Sequence, residues 1–205
     1  MPRNVVAVLA AVACALAPAA PARAGQARDV VERFHAALLE VMQQAVSLDA
    51  PARYSRLAPR VEESFHLPLM IRIASGSHWD RAGEAERQRL VAAFTRMSVG
   101  TYAHRFDGFS GERFETDGES PGPGSTVLVR TRIVEPDGGS VALTYVLKQA
   151  GAEGFRIVDV LLAKGVSELA VRRSEYQTIL AERGVAGLAA ALDEKADALV
   201  GASGG

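Results

Sequence analysis

Two hydrophobic periods divide the chain. Early on, Val30, Phe34, Leu38, Val41 and Ala45 recur at helical spacing and define one apolar face. Asp49-Ala50-Pro51 supplies an N-cap and an early-helix proline, which predicts a second helix towards Glu63. Residues 65–74 form a short apolar segment, interrupted by Pro68 and stopped by Ser75-Gly76-Ser77. Residues 83–106 predict a long helix, with Glu86 placed for a capping box. Its ridge is Leu90, Phe94, Met97 and Thr101, with Tyr102 and Phe106 following.

Near residue 108 the period shortens to two. Gly108, Gly111, Gly118, Gly122, Gly124, Gly138 and Gly139 punctuate the next stretch, with Pro121, Pro123 and Pro136 among them. Val127, Val129, Thr131 and Ile133 alternate against Arg130 and Arg132. Val141, Leu143, Tyr145 and Leu147 repeat the pattern after Pro136-Asp137-Gly138-Gly139, a hairpin signal. Phe155, Ile157, Asp159 and Leu161 make a further strand, and residues 109–116 another. Four successive strands predict an antiparallel meander with one face covered. Helical spacing then returns through Val166, Leu169, Arg173, Tyr176 and Leu180 as far as Gly184. Leu188, Leu192 and Leu199 predict a last helix, and residues 201–205 a flexible tail. Helices, then a sheet, then helices give an α+β class.

The first 24 residues stand apart. Arg3, an apolar run over residues 5–16, and Ala22-Arg23-Ala24 have the layout of a secretory signal peptide cleaved before Gly25. The run falls short of the ~20 residues of a spanning helix. An uncleaved anchor and lipidation at Cys14 are the alternatives; against lipidation, Ala11 stands where Leu is wanted. Cys14 is the one cysteine, so the exported form, residues 25–200 plus the tail, has no disulfide or thiol chemistry. Its length suits one domain with a sizeable core, and a monomer is expected. Without Arg3 and Arg23 it carries 21 basic and 24 acidic side chains, a net −3, which argues against nucleic acid and anionic membrane surfaces.

Catalytic signatures are missing. His35, His66, His78 and His104 are each isolated, without the paired spacing of metal ligands. No nucleophile elbow or phosphate-binding glycine loop occurs, and Ser167-Glu168 matches a helix N-cap better than a catalytic serine. Asp159 and Arg173 break otherwise apolar stripes, and as a pair they predict an ion-pair latch between strand and helix.

Three ordered segments resemble the MlaC-type, or toluene-tolerance, periplasmic lipid-binding family. They are Ile73-Ala74-Ser75-Gly76-Ser77-His78-Trp79 with Arg87-Gln88-Arg89, Phe94 and Thr101-Tyr102-Ala103; Phe155-Arg156-Ile157-Val158-Asp159-Val160 with Lys164-Gly165-Val166-Ser167; and Arg173-Ser174-Glu175-Tyr176. The family's Leu-Gly, Trp and Glu are replaced by Ser75-Gly76, Phe155 and Lys164, and Gly83 stands for a Ser/Thr cap. Residues 106–112 are similar to the hopanoid-associated (HpnM-type) branch. The resemblance implies a twisted sheet packed by helices around an apolar pocket, acyl chains of a phospholipid or hopanoid as ligand, and no cofactor. It also implies a periplasmic carrier, not an enzyme. Its docking partners would be an inner-membrane MCE-domain/ABC transporter complex and an outer-membrane lipoprotein complex.

On that basis the candidate lining from the helices is Met70, Ile73, Phe94, Met97 and Tyr102. From the strands it is Val129, Ile133, Val141, Leu143, Tyr145 and Leu161. The rivals are an adaptor with a filled core, and a small-molecule enzyme for which Asp159 is the acid/base candidate.

Overall fold

The computed structural model describes residues 25–201, so the predicted signal peptide and residues 202–205 lie outside the described residues. Five helices come first: α1 (Gln26–Gln43), α2 (Ala50–Ser64), α3 (Leu67–Ser75), the single-turn α4 (Ser77–Arg81) and α5 (Glu84–Arg105). Local chemistry places their starts. The Asp49 side chain accepts the Ala52 N–H at 2.8 Å to cap α2. Pro68, predicted to interrupt its segment, instead occupies the first turn of α3, where a missing N–H costs nothing. Glu86 accepts the Gly83 N–H at 2.9 Å, the half of a capping box that needs no side chain at the cap.

The sheet has five strands, not the four predicted, in the order β1-β2-β3-β4-β5, all antiparallel. They are β1 (Arg113–Pro121), β2 (Thr126–Val134), β3 (Ser140–Gln149), β4 (Phe155–Leu162) and the two-residue β5 (Val166–Ser167). Periodicity cannot reveal a strand two residues long, so Val166 reads as helix from sequence. β1 begins later than predicted and runs through Gly118, with an irregular register between Thr116 and Gly118. The predicted 136–139 turn is present, closed by Glu135: the Glu135 N–H donates to Gly139 O and the Gly138 N–H to Glu135 O.

The last helix, α6 (Glu168–Gly201), breaks at Gly184, whose φ of 64° and ψ of −167° suit glycine best. It ends at Gly201, the first residue assigned to the tail by sequence. Its start is capped by Ser167, whose Oγ accepts the Ala170 N–H at 2.9 Å.

Helices α1, α2, α3 and α6 all contact β4, α1 also contacts β1 and β2, and α5 pairs with α6. One apolar cluster joins them, from Phe34 through Phe94 and Met97 to Val129, Tyr145, Leu180 and Leu188. The α2–α3 junction covers the open edge of β4: the His66 N–H donates to Ile157 O at 2.8 Å. Arg156 donates to the Glu62 and Glu63 carbonyls, which satisfies the end of α2.

Candidate functional site

Alternation along paired strands sets the inner surface. Val129 lies opposite Tyr145, Thr131 opposite Leu143, and Ile133 opposite Val141, all on one face. Val160 and Phe114 extend that face onto β4 and β1. A chain of aromatic rings joins it to the helices. Phe34 packs edge-on against Phe65, Tyr102 and Tyr145, and Tyr102 stacks on Phe106. His35 stacks on Phe114 with ring centroids 4.3 Å apart and shares a 2.9 Å hydrogen bond with the Tyr145 hydroxyl. That bond satisfies both polar groups inside an apolar layer. Burial pushes the Tyr145 and Tyr102 hydroxyls well up, so both stay neutral.

Burial also pushes the His35 imidazole down to about 4, against a smaller opposing pull from Glu32. The unfolded chain, with an ordinary value near 6.5, therefore binds the proton first. The stability from neutral His35 is intact above pH ~6.5 and lost as the pH falls towards 4, about 3 kcal/mol for the full shift. Urea midpoints from pH 7 to 4 should fall more steeply in the wild type than in His35→Gln. Parallel curves would refute the assignment.

Of the eleven predicted lining residues, the structure brings seven together. Met70, Phe94, Met97, Val129 and Tyr145 are buried in the central cluster, with Tyr102 and Leu143 packed against it. Ile73 and Val141 are exposed, and Ile133 is half-buried outside the cluster. Leu161 faces the other way. Val146 pairs with Asp159 but Leu147 pairs with Ile157, so Val158 is an extra residue on β4. A bulge of this kind flips every later side chain, and Leu162 takes the inward place expected of Leu161.

The same bulge removes the predicted latch. Asp159 also turns to the opposite face, where its carboxylate accepts the Val160 N–H (2.8 Å), the Leu169 N–H (3.0 Å) and the Ser167 hydroxyl (2.5 Å). It pins α6 to the sheet through the helix N-terminus, not through an ion pair. Arg173 is exposed, and among the described residues no ion pair joins it to Asp159.

The inward arginine is Arg172, which sequence reasoning missed. Its guanidinium lies 5.8 Å from the Phe94 ring centroid and donates to Met97 Sδ at 3.2 Å. It lines a cleft of about 320 Å³ between the end of α5, both halves of α6 and Leu162. Leu169 and Tyr176 bracket positions 172 and 173, and helical spacing permits either to face inward. Phe34, His35, Phe65 and Phe114 were also absent from the predicted lining, although Phe34 stood on the first apolar stripe and Phe65 opened the apolar segment 65–74.

Among the described residues no cluster of three or more His, Cys, Asp or Glu side chains could hold a metal ion. No helix among them is long and apolar enough to cross a membrane.

The fold has a close solved counterpart. A phospholipid-binding protein from Ralstonia solanacearum, determined with a bound phospholipid, matches with a TM-score of 0.72 and 18% identity. The match covers 84% of this chain and 98% of that one. Residues 32–194 match the model of the MlaC protein family, a span well over half of the sequence. The chain therefore belongs to the MlaC family.

Proposed function

We propose that this protein binds a phospholipid by its acyl chains, between the inward face of the sheet and helices α1, α5 and α6. The observation that carries this reading is the apolar face of Val129, Leu143 and Tyr145, which meets Phe34 of α1 at Tyr145 and through it Tyr102 of α5, within one apolar cluster that also holds Phe94 and Met97. Family membership and the phospholipid-bound relative support it. The seven clustered lining residues are proposed as its walls. Burying one acyl methylene contributes about 0.8 kcal/mol, so a chain of about fifteen is worth on the order of 12 kcal/mol gross. Phe94, Met97, Val129 and Tyr145 already fill the interior. An incoming chain must part sheet from helices and replace contacts the side chains make with each other, so the net gain is smaller.

The protein is a carrier and not an enzyme in this reading. Asp159, the acid/base candidate, is engaged with backbone N–H groups and Ser167 away from the inner face. It works in the periplasm after cleavage near Gly25. There it shuttles lipid between an inner-membrane MCE-domain/ABC transporter complex and an outer-membrane lipoprotein complex. A hopanoid cargo is the variant of this reading suggested by residues 106–112.

The close packing favours one other reading, an adaptor with a filled core. Native mass spectrometry of protein from a bacterial host, before and after organic extraction, separates the two. The carrier shows an adduct of lipid mass that extraction removes. A bare mass, with no uptake from lipid vesicles, leaves the adaptor.

A further inference from the structure

We propose that the cleft between α5, α6 and β4 seats the phosphodiester headgroup of a glycerophospholipid, with Arg172 as counter-charge to the phosphate; this rests on the phospholipid reading above. Arg172 meets an aromatic face, a thioether (a weak acceptor) and the Tyr176 hydroxyl. Among the described residues no carboxylate forms a salt bridge with it. A guanidinium has five N–H donors in a fork that suits two phosphate oxygens, so most of its capacity is open to a ligand. One turn on, the buried Tyr176 hydroxyl interacts with the Arg172 guanidinium itself and meets no other polar partner. A half-buried cation with no carboxylate in a salt bridge to it, beside a hydroxyl whose proton has no acceptor, is an arrangement that a bound anion completes.

The rest of the cleft agrees. Lys195 and Arg105 add positive charge at the rim, Arg105 already held by Glu168 at 2.8 Å. Glu175 lines the same cleft and suits the ammonium of a zwitterionic headgroup. Leu162 and Leu199 are apolar, and Leu162 borders the inward sheet face. Charges of Glu168, Arg172 and Arg105 all act on the Tyr102 hydroxyl, which places the cleft beside the aromatic interior. Tails leaving a headgroup here would run directly onto the apolar face. A hopanoid without phosphate would leave Arg172 unused.

The test uses delipidated full-length protein. Dioleoylphosphatidylglycerol and dioleoylglycerol, which share tails but differ in the phosphate, are offered in one mild detergent and read by native mass spectrometry. Wild type should prefer the phospholipid by about tenfold or more. Arg172→Met keeps the packing on Phe94 and Met97; it should lose that preference and keep dioleoylglycerol uptake. Arg172→Lys should restore part of it. Lys195→Gln, at an exposed position where folding is not at stake, should weaken it about two- to fivefold.

Equal uptake of both lipids by wild type overturns the headgroup site alone. So does an unaltered preference in both Arg172→Met and Lys195→Gln, or loss of both lipids together in Arg172→Met while Lys195→Gln is unchanged. Inorganic phosphate that raises the melting temperature without lipid, and does so through Arg172, would reassign the cleft to a free anion. Uptake of neither lipid by wild type overturns the headgroup site and the phospholipid reading together.

Discussion

Leu143→Glu should copurify with little or no lipid while the wild type carries it. Leu143 lies on the inward face opposite Thr131 and packs against the central cluster. A carboxylate there loses hydration when an acyl chain lies against it, a penalty of several kcal/mol that opposes the gain from burying methylenes. Val141→Glu is the matched control. It sits two residues away on the same strand face but is 43% exposed, so its carboxylate stays in water. Val141→Glu should keep its lipid, and circular dichroism should show both variants folded. Equal lipid content in folded Leu143→Glu and wild type would remove the inward face as the binding surface.

Asp159→Ala is expected to lower the unfolding free energy by about 2–4 kcal/mol, because the Leu169 and Val160 N–H groups and the Ser167 hydroxyl lose their common acceptor. Asp159→Asn retains a carbonyl acceptor and should fall between the two. Arg173→Ala should change stability by less than about 0.5 kcal/mol, as surface substitutions do. The double variant should then show the sum of the single effects, with no coupling. Urea denaturation provides all four values. An unchanged midpoint for Asp159→Ala would remove Asp159 as the anchor of α6, and coupling above about 1 kcal/mol with Arg173 would restore the ion pair that sequence suggested.

Much of the molecule was legible as pattern. The apolar ridges of α1 and α5, the Asp49 cap, the 136–139 hairpin turn, Gly184 as a helix stop and Ser167 as an N-cap all follow from local chemistry, and the structure contains each. Local signals suffice there because hydrogen bonds and dihedral preferences between near neighbours fix those features. The resemblance in residues 73–103, 155–167 and 173–176 led to the same family that the comparison over residues 32–194 identifies.

The strand faces of β4 and the choice of inward arginine were different. Alternation along residues 155–161 puts Asp159 and Leu161 inside only if the strand pairs without interruption. The extra residue at Val158 comes from its fit against β3, and nothing in the local sequence marks it. Likewise the stripe from Leu169 to Tyr176 leaves both 172 and 173 at the edge of the apolar face. Contact with Phe94 and Met97 on α5 settles it for Arg172. Sequence by itself determined the order of the long helices and the four long strands and that one face of the sheet is apolar, but not the short α4 and β5 or the start of β1. Which side chains after a bulge face inward, and which arginine turns into the cleft, depended on packing between segments some seventy residues apart. Such contacts have no local signal, because their energy exists only once both surfaces are in place.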